Sequence, residues 1–86
     1  MGRLENVATE IAKMANVRVG YPCVSPDDLL KMYKYNWRAR EDGTTIWLQL
    51  FDDEGNIIEE IPFGNVCFDV LVWAYGVFED LISQTK

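Results

Sequence analysis

Apolar residues recur at spacings of three and four along the first fifteen residues of the chain. This spacing places them on one side of a helix, so it predicts an amphipathic helix over residues 3–15. Polar and charged residues fill the opposite side. The pattern stops before Gly20 and Pro22, which break the chain. The apolar positions are Leu4, Val7, Ala8, Ile11, Met14 and Ala15.

A second, shorter helix is predicted to begin at Ser25. Serine is a favoured N-cap, the proline that follows fits the first turn, and the next two aspartates suit the positive end of the helix dipole. Leu29, Leu30 and Tyr33 form the apolar side of this helix, which is expected to end near Lys34.

From Tyr35 onward the pattern changes to a period of two, which is typical of β-strands. Asp42-Gly43 is a favoured two-residue hairpin turn, and it precedes a second strand over residues 44–51. Closing the hairpin at this turn gives every inward residue an apolar partner. The predicted pairs are Ala39 with Ile46, Trp37 with Leu48, and Tyr35 with Leu50.

A third strand is predicted over residues 57–63, after a four-residue loop at 53–56. This register places Glu59 on the core side, where an inward charge near a sheet edge can protect against aggregation. The predicted pairs are Leu48 with Ile61, Ile46 with Phe63, and Leu50 with Glu59.

The last segment predicts a helix from Val66 to about Ser83, with Asn65 as its cap. A buried strand over residues 66–73 stays open as an alternative, because valine and aromatic residues also favour strands. One apolar stripe of the helix is expected to cover the sheet: Cys67, Phe68, Leu71, Ala74, Tyr75, Phe78 and Ile82. A second stripe lies beside it: Val66, Val70, Trp73 and Val77. The residues left for water are Asp69, Val72, Gly76, Glu79 and Asp80.

The two stripes together span an apolar arc of roughly 220°, whereas an ordinary surface helix needs roughly 100°. A chain of 86 residues cannot enclose a helix on nearly all sides with its own sheet. Either the amino-terminal helices or another protein must therefore cover the second stripe, and both explanations stay open. If another protein does so, Trp73 is the expected anchor and a symmetric homodimer is the simplest arrangement.

These elements follow one another in the order α-α-β-β-β-α. We predict a single α+β domain over residues 1–86, with two amino-terminal helices and one long carboxy-terminal helix packed on a three-stranded antiparallel β-meander. The order after Pro26 resembles the topology of double-stranded-RNA-binding domains. Those domains present lysines at the start of their last helix, whereas residues 63–69 contain no basic side chain. We assign no family on this likeness.

The composition argues against several kinds of catalytic and ligand-binding site. The chain contains no histidine, so it lacks an imidazole base or ligand. Glycine-rich phosphate loops are absent, and the acidic segment 52–60 does not follow the calcium-loop pattern. Cys23 and Cys67 form no C-x-x-C pair, and we expect two small core thiols, with one disulfide left open. We therefore predict no catalytic residue, no metal site and no cofactor.

The longest near-apolar run, residues 70–78, is far shorter than the roughly 20 residues that cross a bilayer. The amino terminus lacks the apolar core of a signal peptide. We expect a cytoplasmic protein without a membrane partner.

The formal net charge is −6, yet half of the basic residues lie in residues 31–40. On the outer face of the predicted sheet, Arg38 then lies opposite Trp47, and cations beside aromatic rings can stack on bases or bind a protein. A helix that covers these apolar groups is the alternative explanation. This secondary binding surface comprises Lys34, Arg38, Trp47, Phe51 and Ile58; Lys34 and Ile58 are predicted to flank Phe51.

We interpret the sequence as a small acidic protein-interaction module that is not an enzyme. It is expected to self-associate and to act as an inhibitor or adaptor of a larger protein; phage-borne inhibitors of bacterial defence proteins share this profile. The alternative function is nucleic-acid binding. Its residues would be Lys31, Lys34, Arg38 and Arg40, with Tyr33, Trp37 or Trp47.

Overall fold

The computed structural model of the protein describes residues 2–84. Three helices and three strands follow in the predicted order, and the α+β fold with a three-stranded antiparallel sheet is confirmed. Residues 66–73 are helical, so the alternative of a strand there is wrong. The elements are α1 (Arg3–Val19), α2 (Pro26–Lys34), β1 (Asn36–Asp42), β2 (Thr45–Phe51), β3 (Ile57–Gly64) and α3 (Asn65–Gln84).

Helix α1 is longer than its apolar pattern predicts. It continues to Val19 and ends at Gly20, whose positive φ of 94° is a conformation that favours glycine. Asn16, in the extra turn, holds the loop that follows: its Oδ1 accepts hydrogen bonds from the backbone N–H groups of Cys23 and Val24 at 2.9 and 2.7 Å. Its Nδ2 donates to the carbonyl of Val24 at 2.8 Å. The last turn therefore orders the α1–α2 connection.

Helix α2 begins and ends where the sequence predicts. The Oγ of Ser25 accepts a hydrogen bond from the N–H of Asp27 at 3.2 Å, which confirms serine as the cap. The helix ends at Lys34, and Leu29 and Met32 are its buried residues.

The β1–β2 hairpin has a register two residues away from the prediction. Ala39 lies opposite Leu48 and Trp37 opposite Leu50, because the chain turns at Gly43-Thr44 instead of Asp42-Gly43. Gly43 has a φ of 63°, and every residue with a positive φ within the described chain is a glycine. A turn with a single positive φ at its first central position fits glycine followed by threonine. A shift of two residues leaves every side chain on its predicted face.

The β2–β3 pairing follows the predicted register up to its last residue. Leu50 lies opposite Glu59, and a bulge then pairs Phe51 with Ile57, so the predicted pairing of Phe51 with Ile58 is wrong. The inward Glu59 carboxylate forms a salt bridge with the Nζ of Lys31 at 3.1 Å, and hydrogen bonding to Glu59 and then Asp27 raises the pKa of Lys31. An ion pair with α2 thus accommodates the charge at the sheet edge. The confirmed pairs are Ile46 with Phe63, Leu48 with Ile61, and Leu50 with Glu59.

The hydrophobic core lies between the sheet and the helices. Leu48 and Leu50 of β2 are buried in this core, α3 packs on β2 and β3, and α1 packs against α2 and α3. A disulfide joins Cys23, in the α1–α2 connection, to Cys67, in the first turn of α3. The expectation of two free thiols is therefore wrong, and the alternative of one disulfide is right. Between residues 2 and 84, no helix is long and apolar enough to span a bilayer.

Candidate interaction surfaces

Helix α3 buries one side and exposes the other. Phe68, Leu71, Ala74 and Phe78 are buried in the core. The opposite side combines large apolar side chains with carboxylates, and its apolar members are substantially exposed: Val66 by 57%, Val72 by 38% and Trp73 by 40%. We call this side the α3 surface, and it comprises Val66, Asp69, Val72, Trp73, Gly76 and Asp80.

The second stripe predicted from the sequence divides between interior and surface. Val70 and Val77 are half-buried and pack against the core, whereas Val66 and Trp73 are exposed. Helix α1 packs against α3, and its last turn lies beside Val70 and Trp73. Val72, which the sequence pattern leaves among the residues facing water, adds a third exposed apolar side chain beside Trp73.

Arg18 forms a cation–π contact with Trp73. Its guanidinium carbon lies 5.0 Å from the centroid of the indole ring, which is a favourable cation–π distance. Arg18 is exposed, and it forms no ion pair with any residue between 2 and 84. Arg18 is absent from the predicted surfaces because the apolar spacing ends α1 at residue 15. Gly20, as a helix-terminating glycine, is the signal that could have extended α1.

Tyr75 joins α3 to α2 on the sheet side of the helix. Its hydroxyl donates to the carbonyl of Met32 and lies 3.3 Å from that oxygen and from Oε2 of Glu79. Burial raises the pKa of Tyr75 to about 12, and the negative charge of Glu79 adds to the increase. The phenol is therefore neutral at physiological pH and acts as a hydrogen-bond donor.

The side of the sheet that faces away from the helices presents aromatic rings covered by arginines. The guanidinium carbon of Arg38 lies 5.0 Å from the ring centroid of Phe51, and that of Arg40 lies 5.7 Å from the ring centroid of Trp47. Trp47 Nε1 is buried and has no hydrogen-bond partner among residues 2–84. We call this side the outer sheet face, and it comprises Arg38, Arg40, Trp47, Gln49, Phe51 and Glu60.

The outer sheet face is held by a hydrogen-bonded network centred on Gln49, which is only 4% exposed. Arg38 Nε donates to Gln49 Oε1 at 3.2 Å, and Gln49 Nε2 donates to Glu60 Oε2 at 2.8 Å. Arg40 lies 3.8 Å from the same Glu60 oxygen and 3.9 Å from Asp42. The guanidinium groups thus already contact rings and carboxylates of their own chain.

The structure changes the three pairings predicted for the secondary binding surface, those of Arg38, Lys34 and Ile58. Arg38 lies opposite Gln49, and Arg40 lies opposite Trp47, because the hairpin register differs by two residues. Lys34 does not pair with Phe51: it ends α2, and its Nζ lies 5.3 Å from the ring centroid of Tyr35. Ile58 is 46% exposed, next to the bulge.

In the acidic turn after β2, the Asp52 carboxylate is hydrogen-bonded to backbone N–H groups of the same turn. Asp52 Oδ1 accepts hydrogen bonds from the N–H groups of Glu54 and Asn56, each at 2.9 Å. These bonds, that from Asn56 foremost, lower the pKa of Asp52. Within residues 2–84, no group of three or more cysteine or acidic side chains is placed to hold a metal ion.

Comparison with known proteins identifies no relative. No protein-family model, no curated protein and no solved structure matches this chain.

Proposed function

We propose that the protein is a non-enzymatic interaction module that self-associates through the α3 surface. The exposure of Trp73 carries this proposal: 40% of its surface faces solvent on a helix whose other side forms the core. Tryptophan is enriched at protein interfaces, and burying it contributes strongly to binding. Val66 and Val72 widen the apolar area around it. A second copy that packs on this side would remove all three side chains from water.

The role of the module would be to inhibit a larger protein or to act as its adaptor. A formal charge of −6 favours a partner with a basic surface, since opposite potentials steer association. Assignment to the phage-borne inhibitors of bacterial defence proteins stays a prediction. The cytoplasmic location also stays a prediction, and the disulfide between Cys23 and Cys67 favours an oxidising compartment instead.

Nucleic-acid binding at the outer sheet face has weaker support than protein binding at the α3 surface. The stacking faces of Phe51 and Trp47 are covered by Arg38 and Arg40. Arg40 is also paired with acidic side chains, which compete with phosphate for its charge.

Sedimentation equilibrium on the oxidised protein tests the proposed function. We expect wild-type protein to be dimeric at tens of micromolar and Trp73→Ala to be monomeric, because Ala removes the central apolar contact. Tyr21→Ala is the matched control: Tyr21 is 48% exposed but lies outside α3, so its loss should leave the dimer intact. Circular dichroism checks that both variants are folded. A wild-type monomer, or a Trp73→Ala dimer of unchanged affinity, would overturn the proposal.

A further inference from the structure

Neither backbone conformation nor close packing within residues 2–84 requires a glycine at position 76. It lies in the interior of α3, and its φ is not positive. Apart from its two chain neighbours and the backbone of the surrounding helical turns, a Cβ added at this position would meet no atom within 4 Å. Glycine is among the least favourable residues in a helix interior, so it weakens α3 without a packing benefit inside the chain. A glycine on a helix surface does allow another backbone to approach closely.

The neighbours of Gly76 on the α3 surface combine apolar and acidic side chains. Asp69, Trp73, Gly76 and Asp80 follow one another at spacings of four, three and four, which places them along one side of the helix. Val72 lies beside this row and is exposed. A second helix that crosses at Gly76 would therefore contact Trp73 on one side of the crossing and Asp80 on the other.

Charge selects the direction of that second helix. Helix α3 contains no basic residue, so a parallel copy would place Asp80 next to Asp80 and Asp69 next to Asp69. In an antiparallel crossing centred on Gly76, the residue four positions after the glycine of one copy lies level with the residue about four positions before the glycine of the other copy. Both residues are then roughly 6 Å from the crossing point, measured along the helix axis. Asp80 of one copy then lies level with Val72 and Trp73 of the other copy.

Arg18 supplies the matching cation at that place. It lies over Trp73, and neither Arg18 nor Asp80 forms an ion pair with a residue between 2 and 84. We propose that two copies pack through their α3 surfaces in an antiparallel crossing centred on Gly76, with Arg18 of each copy paired with Asp80 of the other. This geometry rests on the proposed function, because it specifies the same self-association. The two-fold symmetry repeats each ion pair and brings both Trp73 side chains to the crossing.

The first test enlarges the residue at the crossing. Gly76 is exposed and a Cβ there meets open space, and leucine is a better helix former than glycine, so the Gly76→Leu variant should fold at least as well as wild type. We expect it to weaken dimerisation by at least about tenfold, measured by sedimentation equilibrium. Asn6→Leu is the matched control: it adds the same side chain to an exposed position of α1 and should leave the dimer unchanged.

The second test exchanges the charges. Arg18→Glu and Asp80→Arg should each weaken self-association, since each creates two like-charged pairs across the crossing. Mixing the two single variants should restore association, because both pairs in the mixed dimer are then of opposite charge. The double variant should likewise recover self-association. A dimer in which these residues do not meet shows neither recovery.

The outcomes separate this geometry from the proposed function. If Trp73→Ala dissociates the dimer while Gly76→Leu leaves it intact, the α3 surface is the interface and the antiparallel crossing at Gly76 is refuted. If the mixture of charge variants remains monomeric, the pairing of Arg18 with Asp80 is refuted. If wild-type protein is monomeric at tens of micromolar, both proposals fail.

Discussion

Single side chains connect elements of this fold that are distant in the chain. Tyr75 donates from α3 to the backbone of α2, and Asn16 holds the α1–α2 connection through three hydrogen bonds. A buried polar side chain needs a hydrogen-bond partner, because leaving it unpaired in the interior lowers the free energy of unfolding. These residues therefore fix how the helices are placed relative to one another.

Tyr75 predicts a loss of stability at alkaline pH. Its pKa is raised from 10.0 to about 12 in the folded protein, so folding favours the protonated phenol. The sign follows from linkage: the contribution is complete below pH 10 and is lost as the pH rises from about 10 to about 12. Urea unfolding over this range should show a falling free energy of unfolding.

The control for this prediction is Tyr75→Phe, which removes the titrating hydroxyl and keeps the ring. The variant should lose less stability between neutral and alkaline pH than wild type does. Equal losses in the two proteins would show that other groups cause the alkaline destabilisation.

At the scale of elements, periodicity was sufficient for the order of helices and strands but not for their junctions. The period of two around Trp37 and Leu48 predicted two strands and the correct face of each residue. The register depended on whether Asp42-Gly43 or Gly43-Thr44 forms the turn, and both pairs contain the glycine that hairpin turns favour. The end of α1 was missed for a similar reason, since residues 16–19 interrupt the apolar spacing while remaining helical.

The candidate site was predictable to the extent that it belongs to one helix. The spacing of residues in α3 identified Trp73 and Val66 without any knowledge of the other elements. Gly20 could have extended the predicted α1 to include Arg18, but the position of Arg18 over Trp73 depends on how α1 packs against α3 and is not visible in the sequence. The sequence does not decide the disulfide for the same reason: the pairing of Cys23 with Cys67 depends on distance in space, not on spacing in sequence.

The turn assignment makes a prediction about the hairpin. Gly43 has a φ of 63°, a left-handed conformation that costs other residues about 1–2 kcal/mol. Gly43→Ala should therefore lower the free energy of unfolding by about 1 kcal/mol, measured by urea denaturation. Gly64→Ala is the matched control, because Gly64 has no positive φ and a Cβ there would meet no atom within 4 Å. Equal effects of the two substitutions would contradict the observed turn.

At the scale of the whole molecule, one covalent bond closes a large loop. The disulfide joins positions that are 44 apart in the sequence, and the segment between them includes α2 and the entire sheet. In the chain-entropy description, such a cross-link stabilises the folded state because it restricts the unfolded chain. A chain of this size has a small core, so this restriction is a large share of its total stability.

Reduction should therefore destabilise the protein strongly. For a loop of this length the chain-entropy model gives a loss of about 4 kcal/mol, and the urea midpoint of wild-type protein should fall when reductant is added. The variant with both Cys23→Ala and Cys67→Ala should be less stable than oxidised wild type and insensitive to reductant. A wild-type midpoint that reductant leaves unchanged would show that the cross-link contributes nothing to stability.

The position of this bond also matters for recognition. Cys67 is adjacent to Val66, so the cross-link anchors the backbone at the amino-terminal end of the α3 surface. Docking on a helix end that is already immobilised requires little further loss of conformational entropy. In the proposed dimer, the second copy would therefore dock on an already ordered helix end, and less binding free energy would be lost in ordering the interface.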